Sequence, residues 1–249
     1  MRSLLIAPAD EEKLAEAANS GADAIIVDLA GAAPAERVGT RAAAAQFFKA
    51  VRRKPGGPVL IVRANALDSG ETDADLDAVM PGAPDAILLP GNFGAASVQQ
   101  LSTKLAVREA QLGLPDGAIR VIAVVDTAQT LFNMGSYRGS SARLMGIAWS
   151  PESLRAEIGG GTDREPLDAY LGPYRLAREL TLLAATSARV AAIDAAFANI
   201  RDMEGLRTEA LAARRDGFTG KIALDPAQVG VINDVFPSRF MPLAKGRPS

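Results

Sequence analysis

An α/β chain closed into a single-domain (β/α)8 TIM barrel is the fold class this sequence predicts, and three observations predict it. Eight short apolar runs recur along the 249 residues, most of them followed by a helix-like stretch. The runs are nearly continuous in Val, Ile, Leu and Ala, as strands buried on both faces of a parallel sheet are. One barrel of this kind takes about 250 residues, which leaves no length for a second domain or a linker.

The first run is SLLIAP (3–8). Asp10 then precedes EEKLAEAANS and reads as a helix N-cap, with Lys13 and Glu16 on the solvent side and Gly21 closing the turn. The second run, DAIIVDL (23–29), leads into an Ala-rich helical stretch over 34–52. PVLIVR (58–63) and DAILLP (85–90) are the third and fourth, the latter entered through GAPDAI, an echo of GADAI before the second. A helix over 95–111 separates it from RVIAVVD (120–126) and RLMGIAW (143–149). Pro151 opens the next helix, since proline is tolerated in a first turn. GGGT (159–162) is either a mobile loop or a solvent-exposed connection; no GK[ST] follows it, so it is no phosphate-binding loop. A helix over 164–188 leads to RVAAID (189–194), and a helix over 201–216 carries a mixed-charge face (Arg201, Arg207, Arg214, Arg215, Asp202, Glu204, Glu209, Asp216) that reads as solvated. GFTGKIAL (217–224) supplies a helix stop, a turn and the start of the last run, GKIALD (220–225). Residues 1–236 form the predicted barrel and 237–249 a short, proline-interrupted tail.

Composition narrows the chemistry. With 48% hydrophobic and 22% charged residues the chain reads as an ordinary globular enzyme. A formal net charge of −2 offers no basic patch for nucleic acid or an anionic membrane. No apolar run approaches spanning length and LLIAPA is short for a signal-peptide core, so the expected location is cytoplasmic. Zero cysteine removes disulfides, thiolate nucleophiles and Cys-bound zinc. Zero histidine removes the commonest general base, every Ser-His-Asp triad and the commonest transition-metal ligand. Any metal then sits on oxygen ligands, which favours Mg2+ or Mn2+. Any acid or base is Asp, Glu, Lys, Tyr or a group on the substrate. Barrel chemistry sits at the carboxyl ends of strands, where the polar residues are Asp28, Arg63, Asp126, Asp194 and Asp225.

RSLLIAP, GADAIIVDL, VRANAL, AVVDTAQTL, AID, DMEGL and GFTGKIALDPAQVGVIN occur in this order, and together they resemble the HpcH/HpaI aldolase and citrate lyase beta-subunit family, nearest its CitE-like branch. The likeness runs from Arg2 to about Phe236 and is most specific over 201–229. It implies a barrel, often trimeric or hexameric, that cleaves or forms carbon–carbon bonds beside a carboxylate or thioester, commonly in acyl-CoA substrates and with Mg2+. Such cleavage leaves an enolate, whose charge a divalent ion stabilises. An arginine grips the substrate carboxylate through paired hydrogen bonds.

Residue by residue, the likeness places Arg63 as the substrate-binding arginine, with a salt bridge to a neighbouring strand-end aspartate as its alternative. Asp126 stands where the family has a metal-binding glutamate, one methylene longer. The usual Asp-Leu-Glu-Asp is here Asp28-Leu29-Ala30-Gly31, and Gly91 replaces a lysine. Ser153, in Ser150-Pro151-Glu152-Ser153-Leu154, replaces a metal-binding aspartate, and Leu224-Asp225-Pro226 replaces Ile-His-Pro. Fewer charges mean weaker affinity for a hard cation, so the Mg2+ site is expected to be weakened or absent unless Glu152 or Asp225 contributes. Asp28 and Asp194 are candidates for lining the pocket or for capping loops. Asp225 is a candidate for the lost histidine's role or for stabilising a loop. Trp149 walls the pocket or packs in the core, and Arg2 matches a family position near an acyl-CoA entrance. The expected function is a carbon–carbon lyase or aldolase on a small oxo- or hydroxy-acid or its CoA ester. Its alternative is a catalytically degenerate member that binds a related acid or acyl-CoA.

Overall fold

Parallel strands follow one another around a closed barrel in chain order. They are β1 (Ser3–Pro8), β2 (Ala24–Asp28), β3 (Val59–Arg63), β4 (Ala86–Leu89), β5 (Arg120–Val125), β6 (Leu144–Trp149), β7 (Ala191–Asp194) and β8 (Gly220–Ala223). β8 pairs back onto β1, with Ser3 opposite Lys221, so no strand edge is left open. The helices that alternate with them are α1 (Glu11–Ala18), α2 (Arg37–Ala50), α3 (Thr72–Val79), α4 (Ala95–Leu112), α5 (Ala128–Asn133), α6 (Pro151–Ile158), α7 (Gly172–Ala188), α8 (Met203–Asp216) and α9 (Pro226–Val235). The computed structural model describes residues 1–51, 56–164 and 170–237. The tail expected over 237–249 therefore lies outside the described residues from 238 onward, as does 165–169 within the helix expected over 164–188.

Local chemistry sets the element ends. Asp10 caps α1 through the Lys13 amide at 3.1 Å, and Ser150 caps α6 ahead of Pro151. Arg189 turns α7 off in a left-handed conformation (φ 59°), which delays β7 to Ala191. Asp225 caps α9 through the Ala227 amide at 2.8 Å, so β8 stops at Ala223. Among the described residues no helix is long and apolar enough to cross a membrane.

Two apolar layers follow from strand alternation. Leu4, Ile26, Ile61, Leu88, Ile122, Val124, Ala148 and Ile193 fill the barrel interior. Their sequence neighbours Leu5, Val27, Val62, Leu89, Val125 and Trp149 pack outward against the helices. Both faces are dry, which is why the runs read as continuous apolar sequence rather than as alternation.

One polar cluster is sealed into the outer layer. Lys221 is fully buried and donates to Asp194 at 2.8 Å, Glu209 at 2.7 Å and the Ala195 carbonyl at 2.6 Å. Arg178 reaches Asp194 at 3.1 Å and Asp216 at 2.7 Å, and Trp149 donates its indole N–H to Asp194 at 2.9 Å. Burial alone would raise the Asp194 carboxyl, but the Lys221 and Arg178 charges outweigh it and hold it below the usual range. Burial alone would lower the Lys221 ammonium, but Asp194 and Glu209 hold it above its usual value. Glu209 is therefore not on a solvated face: it turns inward to Lys221 and Arg164.

Lys221→Met leaves Asp194 and Glu209 without their shared cation, a loss of about 3–5 kcal/mol. Arg207→Ala removes only an exposed 3.4 Å pair with Asp234 and costs under about 1 kcal/mol. Urea unfolding of the two variants beside the parent protein checks the contrast.

Candidate active site

The mouth of the barrel is built from strand ends whose register brings particular side chains together. Asp28 and Arg63 are direct partners across β2 and β3. Each follows an inward-facing isoleucine by two positions (Ile26, Ile61), so both point over the barrel axis. Arg63 donates one N–H to Asp28 Oδ2 at 3.1 Å. The other Asp28 oxygen accepts the amides of Ala30 and Gly31 at 3.0 and 3.1 Å. A Cβ at Gly31 would lie 2.7 Å from Asp28 Oδ2, so a side chain there would push the Asp28 carboxylate aside.

Arg63 is 30% exposed and opens onto a cavity of about 420 Å3 lined also by Ile6, Pro8, Asp28, Glu36 and Thr40. The loop after it is rigidified by Asn65, whose backbone and side-chain amides bond Asp75 at 2.7 and 2.8 Å. Arg41 anchors that aspartate in turn at 2.8 Å.

Asp126 follows β5 and is 7% exposed. Its carboxylate accepts the Gly91 amide at 2.9 and 3.0 Å. Burial pushes its pKa up to about 6, with the Gly91 N–H and the Arg63 charge offsetting part of the rise. Gly91 adopts φ 56°, and a Cβ there would lie 2.7 Å from the Ala66 methyl. The turn is clamped by fully buried Asn92, which donates to the Val124 carbonyl at 2.6 Å and accepts from the Gly94 amide at 3.2 Å and from the Tyr137 hydroxyl. Thr130 donates to the Asn92 carbonyl. Sequence reading missed Asn92 and Tyr137; an asparagine after a strand-end Pro-Gly was the available signal.

The other candidates lie elsewhere. Arg2 precedes β1, at the far end of the barrel, where it pairs with Asp23 at 2.7 Å; a residue before a strand cannot reach the carboxyl-end mouth. Trp149 and Asp194 each follow an inward-facing residue by one, so both point outward into the helix layer and bond one another. Neither lines the mouth. Asp225 caps α9 and borders a second cavity of about 260 Å3, which shares Ile6, Pro8 and Leu224 with the first. Glu152 is exposed in the first turn of α6.

A hard divalent cation takes six or more oxygens, several of them carboxylate. Among the described residues no group of three or more His, Cys, Asp or Glu is placed to hold one. Asp126 already accepts the Gly91 N–H, and the Ser153 hydroxyl bonds Ser150 at 3.0 Å. The described donor set is poorer in carboxylates than a hard divalent cation favours.

The fold and the mouth define a class: a (β/α)8 barrel with an arginine among carboxylates at the carboxyl ends of its strands. Its sequence matches the HpcH/HpaI aldolase/citrate lyase family over residues 2–226, and the chain belongs to that family. It is 30% identical over 237 residues to citrate lyase subunit beta of Leuconostoc mesenteroides subsp. cremoris, covering 94% of this chain and 76% of that one. It is 33% identical over 239 residues to (3S)-malyl-CoA thioesterase of Cereibacter sphaeroides, with the same coverage of 94% and 76%. The crystal structure of CitE from Mycobacterium tuberculosis with magnesium and acetoacetate superposes with a TM-score of 0.81 at 30% identity, covering 95% of this chain and 91% of that one.

Protonation of Asp126 favours the folded state, because its folded pKa of about 6 lies above the ordinary 3.8. Between these values the folded chain binds more protons than the unfolded one. The contribution is complete below about 3.8 and is lost as pH rises through about 6. Asp126→Asn removes this dependence, so the variant gains about 2 kcal/mol relative to the parent between roughly pH 4 and pH 7.5. Denaturant titrations at the two pH values measure it.

Proposed function

We propose that this protein is a CitE-like carbon–carbon lyase or aldolase acting on a small oxo- or hydroxy-carboxylic acid or its CoA thioester. The observation that carries the reading is Arg63, partly exposed at the cavity, with one N–H given to Asp28 and, among the described residues, no partner for the rest of its fork, which suits a ligand carboxylate. Support comes from the family, and from a CitE of Mycobacterium tuberculosis captured with magnesium, acetoacetate and coenzyme A.

In this reading Arg63 holds the substrate carboxylate and stabilises negative charge that develops next to it. Asp126 lines neither cavity but lies close enough to Arg63 to feel its charge, and its pKa of about 6 is matched to proton transfer near neutral pH with a substrate that reaches it. In a retro-aldol cleavage its carboxylate takes the proton of the substrate hydroxyl. The carbon–carbon bond breaks to a carbonyl and an enolate. The Asp126 carboxyl then returns the proton to the enolate carbon. A cytoplasmic setting and a trimeric or hexameric assembly belong to the same reading, on the family likeness.

A second reading, a binding-only family member, is favoured by Ala30, Gly31 and Ser153, which stand where the family likeness expects acids. Turnover of a panel of hydroxy- and oxo-acids and their CoA esters, followed by product detection, separates the two. Arg63→Ala lowers kcat/KM at least about 100-fold, and Arg63→Lys does not restore it, since an ammonium lacks the fork. EDTA leaves the rate within about twofold. Acid binding without turnover establishes the second reading, and an EDTA-abolished rate restores a metal-dependent site.

A further inference from the structure

Charge, rather than space, limits what the mouth can hold. The two cavities adjoin over the end of β1 and together exceed the volume of a small acid. Among the described residues that line them, two cations, Arg63 and Lys13, face four carboxylates: Asp28, Glu36, Glu16 and Asp225. Lys13 is already paired with Glu16 at 3.1 Å, and Arg63 with Asp28 at 3.1 Å. Among the described residues Glu36 has no side-chain hydrogen bond or ion pair: it sits at the N-cap of α2 without a capping bond. The nearest cations on its own helix are committed elsewhere, Arg37 to Glu71 at 3.2 Å and Arg41 to Glu71 and Asp75. The loop before it, from Ala30 to Ala35, carries no side chain that could screen it.

We infer that the cavity takes a small free acid with a single carboxylate, and that Glu36 is the residue that turns away a second carboxylate and the polyphosphate of coenzyme A. The inference rests on the carboxylate site proposed above and narrows it. One carboxylate of the ligand neutralises the open side of the Arg63 guanidinium. A second anionic group then meets Glu36 in a half-enclosed site, with no unpaired cation among the lining residues to receive it. A methyl or hydroxyl at that end meets no such opposition, and a hydroxyl can donate to the Glu36 carboxylate.

Malate and 3-hydroxybutyrate test this directly, because they differ by a carboxylate in place of a methyl group. Calorimetric titration of each, and of coenzyme A, is run in EDTA with the parent protein, Glu36→Gln and Arg63→Ala. The expected result is 3-hydroxybutyrate binding at least tenfold tighter than malate and no heat from coenzyme A. Glu36→Gln, an exposed change without a bond to lose, should narrow the ratio at least fivefold through tighter malate binding. Equal or tighter binding of malate or coenzyme A by the parent protein overturns the inference, as does an unchanged ratio in Glu36→Gln. Loss of acid binding in Arg63→Ala shows that the underlying site stands whichever way the ratio falls. If neither acid binds the parent protein, or Arg63→Ala binds both unchanged, the carboxylate site itself fails and the inference with it.

Discussion

Closure of the sheet is the constraint on which the rest of this molecule depends. Once β8 pairs with β1, every strand residue faces either the barrel axis or the helix layer, and neighbours in sequence face opposite ways. A polar residue at a strand end is then assigned its side by parity alone. Asp28 and Arg63 sit two positions after inward isoleucines and meet over the axis. Trp149 and Asp194 sit one position after inward residues and meet outside it. The chemistry of the mouth and the ion pairs of the outer layer are two consequences of one geometry.

The outward set carries a cost that the fold has to meet locally. Asp194 and Lys221 are both fully buried, and each offsets the burial cost of the other's charge. Arg178, Glu209, Arg164 and Asp216 extend the pair into a network that links β7 and β8 to α7 and α8. An ionic cluster of this kind adds little net stability over an apolar core of the same volume. It does oppose any packing that leaves one of its charges alone. These last strands are short, four residues each like β4, and have few backbone pairings of their own to hold register.

At the mouth the balance of charge has shifted from what the family likeness implies. Where an ion would offset a ring of acids, this chain has small residues at 30 and 31, a serine at 153 and a backbone amide from Gly91 on Asp126. Burial raises the Asp126 pKa, and the Gly91 amide and the Arg63 charge offset only part of that rise. The same turn depends on the missing side chain at Gly91, because Ala66 occupies the space a Cβ would need. The bare Gly91 turn and the setting of Asp126 are thus one structural feature.

The barrel itself was legible in the sequence, because eight doubly buried strands must be written in apolar residues and their spacing survives any detail of packing. The placement of Arg63 and Asp126 at strand ends was legible for the same reason. What the linear chain could not express was which way a side chain faces relative to distant strands, or what it meets there. Asp194, Trp149 and Arg2 looked like site residues by position, and parity or the end of the barrel removed them. Glu209 looked solvated by composition, yet an unseen lysine lies beneath it. Asn92, Tyr137 and Glu36 matter chiefly through neighbours far away in the chain. Local sequence determines periodicity and caps; the placing of charges against one another is decided by closure, which joins residues that the chain keeps apart.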